Sequence, residues 1–166
     1  MGLVYLVMVN LFPIISLMNH LKNDPTKHFD FWVGNWQAEA ETRSDPTKEE
    51  WTKGKATNKI EKILEGKVVQ ENFTMPGLTG KSWSVYDPKG KVWHQTWVDN
   101  QSGYIALTGK WENNKMVLYD TPLNPGDIEH RMVFQDITAK SFLWLWEVKK
   151  KDGSWAATFK CHYKRV

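Results

Sequence analysis

Apolar and polar residues alternate along most of the chain after residue 35, and this period of two predicts β-strands with one buried face. In the first such stretch Trp36, Ala38 and Ala40 fall on one face, while a glutamine and two glutamates fall on the other. Similar short stretches recur to the C-terminus. The predicted strands are 36–42, 51–63, 67–75, 81–87, 91–99, 104–110, 115–120, 130–135, 141–148 and 154–164.

Short polar turns separate these stretches, and no helix-like stretch lies between them. The turns Asp87-Pro88-Lys89-Gly90 and Lys151-Asp152-Gly153 have the composition of β-hairpin connections. Evenly spaced strands joined by tight turns favour an antiparallel arrangement over a parallel sheet. We therefore predict an all-β protein, an antiparallel up-and-down β-barrel of about 8–10 strands.

An aromatic segment precedes the first strand. Phe29, Phe31, Trp32 and Trp36 fall within eight residues, and Gly34 interrupts them. A glycine allows a sharp change of chain direction, and large aromatic side chains fill apolar space efficiently. We expect this segment to plug one end of the barrel.

The N-terminal segment differs in composition from the rest. Residues 3–18 are almost entirely apolar and uncharged. They suit a signal peptide or membrane anchor, which implies export or membrane association, and equally a helix docked on the barrel or on a partner chain, which is compatible with a cytoplasmic protein. The turn at Asn23-Asp24-Pro25-Thr26 predicts a boundary between an apolar segment, 1–22, and a barrel domain, 23–166.

The strand at 142–146, Phe-Leu-Trp-Leu-Trp, is apolar on both faces. One face can line the barrel, and the other needs a cover. The apolar residues 3–18 would supply it.

Charge and cysteine content exclude several classes of protein. The formal net charge is +3, and the lysines are scattered among acids, which does not fit a nucleic-acid partner. Cys161 is the only cysteine, so an internal disulfide is excluded. In the last strand it shares a face with Phe159 and Tyr163, which predicts a small buried hydrophobe rather than a nucleophile.

Ten tryptophans, seven phenylalanines and five tyrosines exceed what an ordinary core of 166 residues needs. A filled, Trp-rich barrel is one interpretation, and an aromatic-walled cavity is the other.

Glu71 lies on an apolar face with Val69 and Phe73, where a carboxylate is costly unless paired, and Arg131 is its expected partner. Gln95 lies between Trp93 and Trp97, and we expect its amide to bond within the protein or to a ligand.

Familiar catalytic and metal-binding patterns are absent from the sequence. There is no G-x-S-x-G, Walker loop or Cys-His arrangement, and the five histidines lack the spacing of a metal site. We predict no metal site and identify no catalytic residue. A carboxylate with a tyrosine, such as Glu71 with Tyr104 or Tyr119, still permits proton-transfer chemistry.

The segment 29–36, Phe-Asp-Phe-Trp-Val-Gly-Asn-Trp, resembles the opening motif of a family of mostly bacterial, largely uncharacterised lipocalin-like proteins in the calycin superfamily. Later landmarks of that family occur in order: Gly80-Lys81-Ser82, Tyr86-Asp87, 93–99, Arg131, 152–155 and 163–165. The resemblance covers about residues 28–166. It implies a small antiparallel barrel with a short N-terminal helical plug and a hydrophobic or flat ligand inside, and it assigns no activity.

Some calycin relatives bind haem through a histidine near the end of the last strand, where His162 stands here. His162 shares a face with Lys160 and Lys164, which predicts exposure to water. The phosphate-loop-like glycine motif of those haem binders is also missing. We therefore predict no cofactor.

The leading functional hypothesis is a barrel that binds a small, largely apolar or aromatic molecule in a Trp-lined cavity. The first alternative is a barrel enzyme using general acid-base chemistry, of the isomerase, lyase or cyclase type. The second is a structural barrel attached to a membrane or protein partner through residues 3–18. The predicted ligand-binding residues are Trp32, Trp36, Glu71, Trp83, Trp93, Gln95, Trp97, Tyr104, Arg131 and Trp144.

Overall fold

A computed structural model describes residues 24–123, 126 and 128–166. Within these ranges the chain forms two short 3₁₀ turns followed by strands, and no helix there is long and apolar enough to cross a membrane. The strands are β1 (Gly34–Thr42), β2 (Thr52–Ile63), β3 (Val68–Met75), β4 (Leu78–Asp87), β5 (Val92–Asp99), β6 (Tyr104–Glu112), β7 (Lys115–Asp120), β8 (His130–Gln135), β9 (Ser141–Lys149) and β10 (Trp155–Arg165).

Each strand pairs antiparallel with its neighbours in sequence, and β1 also pairs with β10. The sheet therefore closes into a barrel, which leaves none of these ten strands with an unpaired edge. This confirms the predicted all-β, antiparallel up-and-down barrel. The largest difference from the predicted boundaries is at β4, which begins at Leu78 rather than at residue 81.

Alternation along the strands places one set of side chains in the barrel interior. In β1 the residues Trp36, Ala38 and Ala40 are buried, whereas the residues between them are exposed. Because successive side chains of a strand point to opposite faces, a single register accounts for the whole pattern. Cys161 is also fully buried, as predicted.

The strand β9 is apolar on both faces, as the sequence predicted. Leu143 and Leu145 belong to a separate cluster with Val117 of β7 and Val133 of β8. This cluster lies on the outer face of the barrel, and Val117, Val133 and Leu145 are buried. The predicted cover by residues 3–18, and every other prediction about 1–22, lies outside the described residues.

Residues 24–33, which we call the plug, close one end of the barrel. The plug contains the 3₁₀ turns Pro25–Lys27 and Asp30–Trp32. Phe29 lies inside the barrel, with its ring 4.8 Å from that of Trp93 and 5.5 Å from that of Phe134, both edge to face. The expected aromatic plug is therefore present at this end.

Arg165, at the end of β10, holds the plug in place. Its guanidinium donates to the carbonyl oxygens of Val33 at 2.7 Å and Phe31 at 3.0 Å, and to that of Ala139 at 2.8 Å. The same group stacks 4.1 Å from the ring centroid of Trp36. A planar cation with several donors can make all these contacts at once, which an ammonium cannot.

Candidate functional site

The end of the barrel opposite the plug contains a cavity. In an up-and-down barrel the ends of the odd-numbered strands meet the beginnings of the even-numbered ones, and the cavity lies where they meet. Its volume is about 190 Å³. Six aromatic side chains form much of its wall: Phe73, Trp97, Trp144, Trp146, Phe159 and Tyr163.

The remaining lining residues are four aliphatic or thioether side chains and two acids. The apolar ones are Leu78, Ile105, Leu107 and Met132, and the acids are Glu71 and Asp99. Phe73, Leu107 and Met132 are buried, whereas Trp97, Trp144 and Trp146 are only partly buried. The partly buried tryptophans mark the side on which the cavity meets solvent.

Trp97 is held in the cavity wall by contacts on two sides. Its indole Nε1 donates to Oδ2 of Asp99 at 2.8 Å. On the neighbouring strand stands Gly80, where a Cβ atom would overlap the Trp97 ring. The Trp97 hydrogen bond is also the main reason why the pKa of Asp99 lies below its usual value, so this carboxylate is ionised at neutral pH.

Glu71 is the centre of a buried polar network beside the cavity. Its Oε1 accepts from the amide Nδ2 of Asn58 at 2.7 Å, and its Oε2 accepts from the hydroxyl of Ser82 at 2.6 Å. The amide of Asn58 also donates to the hydroxyl of Tyr163 at 3.2 Å. Four different strands therefore contribute to one network: β2, β3, β4 and β10.

Gln95 of β5 extends the network. Its Nε2 donates to the hydroxyl oxygens of Ser84 at 3.0 Å and Ser82 at 3.3 Å. The side-chain oxygens of Gln95 and Asn58 are buried and have no hydrogen-bond partner in the described part of the chain. The network thus contains two acceptors with unused capacity.

Burial shifts the pKa of Glu71 upward. The residue is 6 % exposed, and loss of hydration raises the pKa of its carboxyl to about 7, although the hydrogen bonds from Ser82 and Asn58 partly oppose the shift. Glu71 therefore changes protonation state near neutral pH. Groups of this kind are enriched at functional sites.

Two more titratable side chains belong to the same region. Burial raises the pKa of the Cys161 thiol to about 12. Burial also raises the pKa of the Tyr163 hydroxyl well above its usual value, and the nearby Cys161 and Glu71 raise it further. Both groups are neutral across the physiological range, so Glu71 is the member of this trio that can carry charge there.

His130 stands beside the cavity and was not among the predicted site residues. Its ring stacks on that of Trp146, with centroids 5.2 Å apart, and its Nδ1 lies 3.0 Å from Oδ2 of Asp120. His130 lies beside the cavity because it is the first residue of β8, and β8 begins at this end of the barrel. No neighbouring residue in the sequence distinguishes His130 as a member of a site.

The structure brings only some of the predicted ligand-binding residues together. Glu71, Trp97 and Trp144 line the cavity, and Gln95 joins the network behind it. The other interior tryptophans serve the closed end: the indole of Trp36 donates to the carbonyl oxygen of Trp32 at 2.7 Å, and the indole of Trp93 donates to that of Pro25 at 3.1 Å. Trp32, Trp36 and Trp93 therefore pack the plug.

Two aromatic residues among the predicted ligand-binding residues face outward instead. Trp83 is 38 % exposed, because Ser82 and Ser84 occupy the inward positions of β4. Tyr104 is 51 % exposed, because Ile105 and Leu107 occupy the inward positions of β6. A shift of one residue in a strand reverses its faces, and this is the error in both predictions.

The predicted pair between Glu71 and Arg131 does not form. Arg131 lies on the outer face of β8, where its Nε donates to Oε2 of Glu147 at 2.6 Å and its guanidinium stacks on Trp155 at 4.4 Å. Met132 and Phe134 take the inward positions of that strand. The Glu71 carboxyl instead accepts hydrogen bonds from the neutral side chains of Asn58 and Ser82.

Sequence reasoning missed the polar partners of Glu71. Asn58 sits between Ala56 and Ile60 on the buried face of β2, and Ser82 and Ser84 alternate with longer side chains in β4. Each is a polar residue at an inward position of an alternating strand, which is the signal that would have found it. Within the described ranges, no group of three or more His, Cys, Asp or Glu residues is placed to hold a metal ion.

Comparison with known proteins gives a family. The model of a family described as "Protein of unknown function (DUF1579)" matches residues 23–165. The chain belongs to the DUF1579 family. No curated protein shows significant similarity to this DUF1579 protein.

A solved structure shares the fold. It is a crystal structure of a protein with unknown function from the DUF3598 family of Nostoc punctiforme PCC 73102, and it superimposes with a TM-score of 0.55 at 13 % identity. The match covers 86 % of the DUF1579 chain and 51 % of the other chain, so the DUF1579 protein spans about half the length of this neighbour. At this identity the likeness concerns the fold alone.

Proposed function

We propose that this DUF1579 protein binds a small, largely apolar or aromatic molecule in the cavity opposite the plug, in the manner of a lipocalin-like barrel. The observation that carries the proposal is the cavity itself: aromatic and aliphatic walls surround it, and one buried carboxylate borders it. Ligand sites typically combine apolar walls with a few placed polar groups. A filled barrel would have no such space.

The size of the cavity limits the ligand. An engineered cavity of about 150 Å³ in another protein binds benzene. A volume of about 190 Å³ therefore suits a molecule with one or two rings, or an alkyl chain of similar bulk. The partly buried tryptophans give such a molecule a flat, stiff surface to stack on.

Isothermal titration calorimetry with 2-phenylethanol and indole tests the proposal. Both are neutral, and both fit the volume. We expect saturable binding, and a weakening of at least about tenfold in Ile105→Trp, which fills the cavity. Tyr104→Trp is the matched control, because this neighbouring side chain is exposed and should leave affinity unchanged.

Two results would contradict a binding cavity. One is the absence of binding by either compound at millimolar concentration. The other is equal affinity in the wild type and in folded Ile105→Trp, which would put the compounds somewhere else.

The network around Glu71 favours a second candidate function, a proton-transfer enzyme. A carboxyl with a pKa of about 7 borders the cavity, and the hydroxyl of Tyr163 lies in the same wall. A general base works best when its pKa is near the operating pH. Tyr163 is therefore the tyrosine that we pair with Glu71 in this hypothesis, in place of Tyr104 and Tyr119, which are 51 % and 37 % exposed.

Native mass spectrometry of the protein from its own host separates the two functions. Extra mass that disappears on denaturation would identify a bound molecule. If ligand-free protein converts that molecule into a product, and Glu71→Gln binds it without conversion, the enzyme hypothesis gains support. Recovery of the unchanged molecule after long incubation would favour binding alone.

A further inference from the structure

The charge of the cavity wall is opposite in sign to that of the whole protein. The chain carries a formal net charge of +3, yet among the described residues the cavity is lined by the acids Glu71 and Asp99 and by no lysine, arginine or histidine. Asp99 remains an anion at neutral pH. An anionic ligand would meet repulsion from both carboxylates, and a cationic one would meet attraction.

Glu71 has donors but no counter-ion in the part of the chain that the structure describes. Its two hydrogen bonds come from a neutral amide and a neutral hydroxyl, and none of the ion pairs among the described residues includes it. A buried carboxylate without a cation is costly. A cation delivered by a ligand would remove that cost.

Other groups around Glu71 also suit a donor-rich cation. The buried side-chain oxygens of Asn58 and Gln95 lack donors among the described residues, so the network has spare acceptors and no spare N–H group. The cavity wall adds the faces of tryptophan, phenylalanine and tyrosine rings, which attract cations through their π-electrons. The carboxylate, the acceptors without donors and the aromatic rings all favour a ligand that is a cation with N–H donors.

We propose that the cavity takes an organic cation, an aromatic or short alkyl ammonium compound whose ammonium group lies against Glu71 while its apolar part stacks among the tryptophans. This proposal rests on the proposed binding function and names the ligand class of the same site. Asp99, at the solvent side of the wall beside Trp97, would attract the cation on entry. Glu71 would then hold the ammonium by a charge-assisted hydrogen bond.

A matched set of ligands tests the proposal. The probes are 2-phenylethylammonium, 2-phenylethanol and 3-phenylpropanoate, which keep one ring and change the charge. By calorimetry at pH 8.5, we expect the ammonium to bind at least about tenfold more tightly than the alcohol, and the carboxylate to bind most weakly. This comparison uses the wild-type protein and needs no variant.

Glu71→Gln assigns the preference to one side chain. The amide keeps the shape of the carboxyl and removes its charge. It retains one acceptor oxygen and replaces the other with an NH₂ donor, from which the hydroxyl oxygen of Ser82 can accept. We expect the preference for ammonium over alcohol, taken as the ratio of the two affinities in the same variant, to disappear. Glu39→Gln, an exposed glutamate on β1, is the matched control and should retain the full preference.

The pH dependence gives an independent readout. Among the described residues, the titratable groups that face Glu71 or share its cavity are Cys161 and Tyr163, which remain neutral between pH 5.5 and 8.5, and Asp99, which remains ionised. His130 stands beside the cavity, against Trp146. Glu71 takes up a proton in that interval. Affinity for the ammonium should therefore fall between pH 8.5 and 5.5, and it should do so in His130→Gln as well, but not in Glu71→Gln.

The outcomes separate this inference from the function on which it rests. If the alcohol binds as tightly as the ammonium, or the carboxylate binds most tightly, the organic-cation proposal is overturned and the binding cavity stands. The same holds if the ammonium preference survives unchanged in Glu71→Gln. If no member of the set binds and indole does not bind either, both proposals fail.

Discussion

At the scale of single residues, the most informative side chain is Glu71. Its carboxyl combines burial, which favours the neutral acid, with two donated hydrogen bonds, which favour the anion. Burial dominates, since the pKa rises to about 7. Cys161 shows the same effect, because burial raises the pKa of its thiol to about 12 although a hydrogen bond from Tyr163 partly opposes the shift.

The raised pKa of Glu71 predicts how stability changes with pH. The folded protein holds this proton up to about pH 7, whereas the unfolded chain releases it near 4.5, so the folded state binds more protons between these values. The contribution of Glu71 to the free energy of unfolding is fully present below about pH 4.5, and it is lost as the pH rises from there through 7. Glu71→Gln should therefore be more stable than wild type at pH 8.5, by about 2–3 kcal/mol.

Urea unfolding followed by tryptophan fluorescence measures this difference. At pH 4.5 the two proteins should unfold at nearly the same urea concentration, because Glu71 is protonated in the folded wild type and about half protonated in the unfolded chain. Glu39→Gln should match the wild type at both pH values. A Glu71→Gln variant that is less stable than wild type at pH 8.5 would show that the anion is favoured by its surroundings.

At the scale of elements, the plug is held in place by contacts with the ends of the strands that surround it. The plug consists of two 3₁₀ turns too short to be stable alone, and its stability comes from aromatic packing inside the barrel and from Arg165. Gly34 lies where the plug meets β1, with a φ of +137°, and a Cβ atom there would overlap the Arg165 guanidinium. Glycine at this position thus gives Arg165 access to the plug carbonyls.

Arg165→Ala should weaken this closed end. The change removes three hydrogen bonds to carbonyl oxygens and the stacking on Trp36, and we expect a loss of about 2–4 kcal/mol in the free energy of unfolding. Arg165→Lys should recover only a part, since one ammonium cannot replace the planar fork. Chemical denaturation of the variants gives the values directly.

The neighbouring Lys164→Ala serves as the control for Arg165→Ala. Lys164 is exposed on the same strand and should cost less than about 0.5 kcal/mol. Equal stability of Arg165→Ala and Lys164→Ala would mean that packing of the plug aromatics suffices without the arginine.

At the scale of the whole molecule, closure of the sheet decides what the protein can do. Ten strands paired in a ring leave an interior that aromatic residues fill at one end and only line at the other. The outer apolar cluster of Val117, Val133 and Leu145 is separate from that interior. The cavity and the outer apolar cluster are therefore separate features of one barrel.

Closure also predicts an autonomous unit. The ring of strand pairs and the plug lie entirely within residues 24–166, and the DUF1579 match begins at residue 23. A shortened protein of residues 23–166 should fold cooperatively and keep the tryptophan emission of the full chain. Circular dichroism and fluorescence during thermal unfolding would measure this, and non-coincident transitions by the two methods would contradict it.

The binding tests extend to the shortened protein, with the full chain as the control. Because the cavity lining lies between Glu71 and Tyr163, affinity for 2-phenylethanol should be the same in both. A loss of binding on shortening would connect residues 1–22 to the site.

The sequence by itself determined the strands, their antiparallel order and the aromatic plug. These features follow from local rules, because alternation has a period of two residues and hairpin turns have a recognisable composition. It also marked Glu71 as unusual, since a carboxylate between Val69 and Phe73 on a buried face needs a partner.

Only the tertiary structure decided which partner that is, and where the space lies. The contact between Asn58 and Glu71, the outward turn of Arg131 to Glu147, and the position of Tyr163 depend on the register between strands distant in sequence. Register is a property of strand pairs, and a shift of one residue reverses every side chain, as it does for Trp83 and Tyr104. The sequence of a single strand does not determine its register against the neighbouring strands. The residues that surround the cavity could therefore be identified only from the tertiary structure.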